Sequence, residues 1–599
     1  MEKKTRTKLI YGGLVTAVAL AVFTAPVITT YLNNPDDFTG RSKSNNFSNI
    51  AQNVTTPSFN LGIGKILKKE EQRTTAAELN AVEFSVGANS SDAISSRSLS
   101  APVMESHNID TLPDYYKDEG RDKFEDFETN PIHLVSEKPV STFSIDVDTS
   151  SYSFVRSSLN RGVLPQKSSV RIEEMVNYFD YNYPLPETRD QPFKPTVTIV
   201  DSPWSEGKKL MHIGIKGFDI ETDKPKSNLV FLIDVSGSMN NPNKLPLLVN
   251  SLKMLIDTMN QDDKISIVVY AGAAGAVLEP TSADNKAKIY AALDSLSAGG
   301  STAGAAGINL AYQLAEQNFD ENAVNRVIIA TDGDFNVGIT DQKELKDFVE
   351  RKRESGVFLS VFGFGRGNYN DHLMQTLAQN GNGVAAYIDT LSEARKVLVE
   401  EASSTLFPIA KDVKLQVEFN PQTVSEYRLV GYETRALKRE DFNNDKVDAG
   451  DIGAGHKVTA IYEFTPVGSK ASTIDSLRYK NEKKLLENDD LNQEFAFLKI
   501  RYKLPKESKS NLMTISVKQT DYQGSIQTLL NSDDAISQDI AFSIAVASFA
   551  QTLKGGKYTG DMTYDNIINI ARKSKGDDEF GYRSEFVQLV RLAKTARAM

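Results

Sequence analysis

Asp234, Ser236 and Ser238 stand at alternate positions directly after the apolar run Leu229-Val-Phe-Leu-Ile233. All three side chains offer hard oxygen, and no His or Cys lies near them in the chain. Such a donor set selects Mg²⁺, Mn²⁺ or Ca²⁺ over zinc or copper. A short, continuous run of Leu, Val, Phe and Ile bounded by turn formers predicts a strand buried on both faces. Strands of that kind belong to open α/β sheets, whose ligands sit in the crevice beyond the carboxyl ends of the strands. The acid and the two hydroxyls therefore fall where a site is expected.

Two later stretches extend the pattern. Gly299-Gly300-Ser301-Thr302 precedes an amphipathic segment, and Arg326-Val-Ile-Ile-Ala-Thr331-Asp332-Gly333-Asp334 is a second apolar strand that ends in acid. With these three elements in order, the chain resembles the von Willebrand factor A-type domain and its metal-ion-dependent adhesion site. The family pattern, Asp-x-Ser-x-Ser followed by a Thr and then an Asp, matches Asp234, Ser236, Ser238, Thr302 and Asp332. The resemblance implies that the serines and the threonine bind Mg²⁺ directly, with Mn²⁺ or Ca²⁺ as alternatives, while the aspartates act largely through water. Three neutral hydroxyls leave a divalent cation under-neutralised. An open position of its octahedron then favours an anionic oxygen, most simply an Asp or Glu carboxylate presented by a partner protein. The sequence shows no general base and leaving-group acid of the kind a metal hydrolase requires.

The surrounding segments predict how the site is held. Leu245, Leu248, Val249, Leu252, Leu255, Ile256 and Met259 repeat at helical spacing. Strands are expected at Ile265–Tyr270 and Val357–Phe364, and helices at Lys286–Leu296 and Ser392–Glu401. Asp341 to Glu344 reads as the capping-box start of another helix, which Gly356 ends. This alternation predicts a doubly wound, mainly parallel sheet over residues 227–401. Gly363-Phe-Gly365-Arg-Gly367 follows a strand but has no ribose-binding acid at the right spacing, so it reads as a turn. Alternating strands flank the α/β unit, at Thr196–Val200 and Lys209–Lys216 before it and from Val413 onward after it. They predict a β-sandwich, residues 191–226 and 402–530, into which the α/β domain is inserted.

A second resemblance lies upstream. Ser141-Thr-Phe-Ser-Ile-Asp146-Val-Asp148-Thr149 and Val170-Arg-Ile-Glu-Glu-Met-Val-Asn-Tyr-Phe179 are similar to the N-terminal module of a bacterial A-domain family, the YfbK-like proteins. That resemblance spans roughly Val140 to the C-terminus and implies no established biochemical activity. An apolar strand ending in Asp-x-Asp is also similar to the nucleophile motif of haloacid-dehalogenase-type phosphatases. A metal-assisted phosphohydrolase using Asp146 and Asp148, or the A-domain metal, is therefore the alternative function. Without the Lys and acidic pair of those enzymes in a coherent unit, the two acids read as helix caps or surface contacts in a small module, residues 140–190.

The chain has 599 residues and a formal charge of -11. No basic stripe offsets that charge, which argues against nucleic acid as a partner. Residues 1–8 form a basic tail, and residues 9–32 an uncharged, largely apolar run of 24 residues, enough for a bilayer's need of about 20. Flanking Lys and Arg place the tail in the cytoplasm. The expectation is an uncleaved membrane anchor, with a cleaved signal segment as the rival, and a body in the bacterial cell envelope, on the periplasmic side. There is no cysteine, which removes a lipoprotein anchor, disulfides and thiolate metal sites. Residues 33–139 are rich in Asn, Ser, Thr and Asp and predict a disordered tether. Residues 531–599 predict a helical C-terminal segment.

Overall fold

The computed structural model describes residues 122–188, 190–220, 225–300, 304–333, 342–475 and 493–598. Before the α/β unit come β1 (His133–Leu134), β2 (Val140–Ser144), β3 (Phe193–Asp201) and β4 (Lys209–Gly217). Within it are β5 (Lys226–Asp234), β6 (Lys264–Tyr270), β7 (Ala274–Ser282), β8 (Ala323–Thr331), β9 (Val357–Phe364) and β10 (Ala385–Ile388). After it follow β11 (Pro408–Phe419), β12 (Val424–Val430), β13 (Gly450–Gly453), β14 (Lys457–Pro466), β15 (Glu494–Lys503) and β16 (Asn511–Lys518).

The α/β sheet has the order β10-β9-β8-β5-β6-β7 and is parallel except for the edge strand β7. The apolar run of β5 is continuous because both its faces are buried. Leu229, Phe231 and Ile233 enter one core with Leu248 and Leu252 of the helix Leu245–Thr258. Val230 and Leu232 enter another, with Ile308, Ala311 and Ala315 of the helix Gly304–Gln317. β5 lies between β8 and β6, so the chain winds away from it in both directions. That strand order opens a crevice at the carboxyl end of β5.

The flanking strands form two antiparallel sheets. One has the order β1-β12-β14-β4-β3; the other is β13-β11-β15-β16, with β2 paired to β11. Their facing sides share one core, where Phe419 stacks on Tyr427 with centroids 4.2 Å apart and Phe193 meets Tyr502 at 4.9 Å. The α/β unit enters between β4 and β11. The outer face of the first sheet is covered in turn: Val200, Leu210, Val430 and Ile461 pack with the buried helix Ala535–Leu553.

Two expectations about boundaries need correction. Residues 122–139, expected within the tether, are folded onto the body. β1 pairs with β12, Asp122 accepts from the backbone N–H groups of Gly367 and Tyr369, and Phe124 packs on Phe154 at 4.4 Å. The stretch is polar overall, but its few apolar groups find partners far along the chain. Residues 140–190 are likewise not set apart from the sandwich. β2 is a strand of the sandwich, and the helix Ser150–Asn160 lies against β10 and the C-terminal helix Tyr582–Ala598. Among the described residues no helix is long and apolar enough to cross a membrane. The anchor expected at residues 9–32 lies outside the described residues, as do Thr302 and the capping acid Asp341.

Candidate functional site

Asp234 closes β5 and is fully buried. Its Oδ1 accepts the backbone N–H of Ser236 at 2.8 Å, a tight Asx turn that bends the chain as it leaves the sheet. Its Oδ2 accepts from Tyr270 Oη at 3.2 Å and Thr331 Oγ1 at 3.1 Å, hydroxyls carried at the ends of β6 and β8. Three hydrogen bonds, one from the turn after β5 and one each from β6 and β8, thus lock one carboxylate. Burial pushes its pKa above the usual range, and the neighbouring Asp332 adds to that, although the Ser236 and Thr331 contacts oppose it.

The turn that follows, Gly237–Met239, brings the Ser236 and Ser238 hydroxyls to 3.0 Å from each other. Ser236 is buried and Ser238 half-buried. The loop is stitched to the glycine-rich segment: Gly237 N–H donates to Gly300 O at 3.1 Å, and Gly299 N–H to Val235 O at 2.8 Å. Asp332, at the end of β8, is fully buried. Its Oδ2 accepts from Lys244 Nζ at 2.7 Å. Gly333 has φ of +106°, and a Cβ there would stand 2.4 Å from Asn368 O, so the turn after Asp332 requires glycine.

The donor set fits a small hard cation. Neighbouring corners of an octahedron with bonds of about 2.0–2.1 Å lie about 2.9 Å apart, close to the Ser236–Ser238 spacing of 3.0 Å. Both aspartates sit behind the hydroxyls, already hydrogen-bonded. Among the described residues no three His, Cys, Asp or Glu side chains form an alternative metal cluster. Four of the five expected site residues, Asp234, Ser236, Ser238 and Asp332, come together at the carboxyl ends of β5 and β8. Thr302 is two residues beyond Gly300 in the chain and outside the described residues. Sequence reading missed Tyr270, Thr331 and Lys244. Thr331, directly before Asp332, could have been suspected; nothing in the local pattern points to Lys244.

Asp146 and Asp148 occupy a different setting, far from caps or solvent. Both are buried, and Arg435 donates to Asp146 Oδ2 (Nε, 3.0 Å), Asp146 Oδ1 (Nη2, 2.8 Å) and Asp148 Oδ2 (Nη2, 3.0 Å). Asp148 Oδ1 accepts the Ala385 N–H of the α/β unit at 2.9 Å. Neither acid caps the helix Ser150–Asn160, whose Ser151 N–H donates instead to Glu174 Oε2 at 2.8 Å. Burial, and then the Asp146 charge, hold Asp148 well above the usual carboxylate range despite Arg435. The expected surface or capping role is therefore corrected. These acids are the anchor points of a cross-domain ion-pair network, and every oxygen of Asp146 already accepts a hydrogen bond. They line a cavity of about 190 Å³ that is also lined by Arg326, Asp451 and His456.

Comparison with known proteins agrees with this architecture. Residues 228–401 match the von Willebrand factor type A domain, and residues 404–596 match the model described as uncharacterized protein YfbK, C-terminal. The uncharacterized protein YfbK of Escherichia coli K12 is 45% identical over 79% of this chain and 81% of its own length. The chain belongs to the YfbK family of A-domain proteins. Inter-alpha-trypsin inhibitor heavy chain H3 of Mesocricetus auratus is 28% identical, with 39% of this chain aligned to 28% of that one. Among solved structures, a von Willebrand factor type A protein from Catenulispora acidiphila covers 69% of this chain and 91% of its own, at 13% identity and a TM-score of 0.37. A-type domains are typically adhesion or protein-interaction modules and often hold a divalent cation, and these relatives are not known enzymes.

Proposed function

We propose that this chain is a membrane-anchored protein-binding module of the bacterial cell envelope. Its A-domain would recognise a partner's Asp or Glu carboxylate through a divalent cation, Mg²⁺ first among the candidates. The observation that carries the reading is the Ser236–Ser238 hydroxyl pair, 3.0 Å apart, with Asp234 locked behind it at the carboxyl edge of the sheet. Ser236, Ser238 and Thr302 would hold the cation, and Asp234 and Asp332 would balance its charge through water. When bound, the cation supplies one open coordination position for an anionic oxygen. Tyr270 and Thr331 fix Asp234 so that the Ser236 turn keeps its shape whether or not the partner is present. The apolar run at residues 9–32 supports the membrane tether.

The test is a pull-down from envelope extract with the full-length chain, in Mg²⁺ and in EDTA, with a Thr302→Ala control. A partner retained only with Mg²⁺ and Thr302 intact supports a metal-bridged adhesion or assembly role. Partners indifferent to both refute it.

A further inference from the structure

Lys244 is an unusual neighbour for a cation site. Its side chain is only 6% exposed, and its ammonium lies 2.7 Å from Oδ2 of the fully buried Asp332. The stem is housed by a loop shaped around it. Gly365 has φ of +70°, and a Cβ there would stand 2.5 Å from both Cγ and Cε of Lys244. The lysine caps the backbone start of the helix Leu245–Thr258, and Leu248 N–H donates to its carbonyl. The ammonium therefore cannot swing to solvent without moving the stem off the Gly365 backbone.

We propose that Lys244 is a fixed positive charge that sets the balance between the two ligands of the site, weakening the cation and strengthening the anion. This rests on the metal-dependent reading above. The charged groups described at the site are Asp234, Asp332 and Lys244. With a divalent cation present, these three leave a net single positive charge. Without the lysine, the same aspartates neutralise the cation completely. A net positive site attracts a carboxylate, whereas a neutral one offers only the exchange of one oxygen for another. The same ammonium repels the incoming cation through water-poor protein, where Coulomb forces are weakly screened. Lys244 is thus a positioning and specificity residue: it trades cation affinity for anion affinity.

The experiment uses the full-length chain, Mn²⁺ as the probe ion and [1-¹³C]acetate as the probe anion. Calorimetry reads Mn²⁺ affinity, and paramagnetic relaxation of the acetate carbon reads anion affinity at the Mn²⁺-loaded site. Lys244→Gln and Lys244→Met should bind Mn²⁺ about tenfold more tightly and acetate severalfold more weakly than the wild type. Gly365→Ala, which crowds the stem and leaves the charge in place, should shift both in the same directions to a smaller extent. It also serves if the Lys244 variants fail to fold, as judged by circular dichroism in EDTA. Opposite shifts support the proposal, because a merely structural prop would weaken both ligands together. Unchanged affinities, or two shifts of the same sign, overturn it and leave the metal reading standing. If neither wild type nor variants bind Mn²⁺, the metal reading falls and the proposal falls with it. Binding by the variants alone would mean that Lys244 excludes the cation outright, which refutes the metal reading for the native chain while upholding the opposition between lysine and metal.

Discussion

Asp234 and Asp146 each follow a short apolar strand, and each is followed two residues on by another oxygen-bearing side chain. The first pattern lies at the carboxyl end of β5, in the middle of a parallel sheet, where the strands on either side diverge and leave a crevice. The second lies at the end of β2, a strand paired with β11 in an antiparallel sheet, and the α/β unit closes over it. At the first site Asp234 accepts from neutral hydroxyls and a backbone N–H, Lys244 pairs with Asp332, and two hydroxyls remain facing one another. At the second, a guanidinium takes both carboxylates. The same local pattern can thus become a ligand site or a structural clamp. What decides is whether a fixed cation bridges both acids, as Arg435 does, or pairs with one and leaves the hydroxyls open, as Lys244 does at Asp332.

The strongest way to break this comparison is to remove the clamp. Arg435→Met should lower stability by about 3–5 kcal/mol, since it leaves Asp146 and Asp148 buried without their counter-ion. Urea unfolding of the variant measures it, and a loss under 1 kcal/mol would mean the acids are solvated after all. The complementary change is at the other site. Mg²⁺ at a hundredfold excess over its Kd should stabilise the wild type by about 2.7 kcal/mol. Ser238→Ala should abolish that gain while melting like the wild type in EDTA. If Ser238→Ala still responds fully to Mg²⁺, the hydroxyl pair is not the cation site.

A smaller effect sharpens the contrast through pH. Burial, reinforced by Asp412, pushes Asp451 in the clamp's cavity up to about 7. A carboxyl raised above its unfolded value near 4 contributes stability that is complete below that pH and is lost as pH rises through about 7. Asp451→Asn should therefore flatten the decline of stability between pH 4 and 7 by about 1–2 kcal/mol. Melting curves of both proteins across that range give the comparison, and parallel curves would show that Asp451 titrates like a solvated acid. The least effect is expected on catalysis. Asp146→Asn should leave any hydrolysis of p-nitrophenyl phosphate at the background rate of the wild type, and a preparation that loses activity on this substitution would restore the phosphohydrolase reading.

Much of the α/β unit was legible because its strands are buried on both faces. Burial on both sides forces an uninterrupted apolar run, which stands out in β5, β8 and β9 whatever surrounds it. The edge strand β7, Ala-Gly-Ala-Val-Leu-Glu-Pro-Thr-Ser, carries no such signal, because much of it faces solvent. The short β10, Ala-Ala-Tyr-Ile, is too brief to announce itself. The site was legible for a related reason. Asp234, Ser236 and Ser238 are adjacent in sequence because one turn makes them adjacent in space. Lys244 and Arg435 escaped notice because their partners, Asp332 and Asp146, lie 88 and 289 residues away.

By itself, then, the sequence determined the parallel sheet, the turn that carries Asp234, Ser236 and Ser238 at its carboxyl edge, and the interruption of one β-structure by another domain. Each of these follows from local periodicity or from residues within one turn of each other. Only the tertiary structure decided that residues 122–139 belong to the folded body, that β2 completes the sandwich, and that Asp146 and Asp148 are held by Arg435. It alone placed an ammonium beside Asp332. Burial makes a charge find its partner, but the partner's place in the chain is set by how whole layers pack, and no short window of sequence records that.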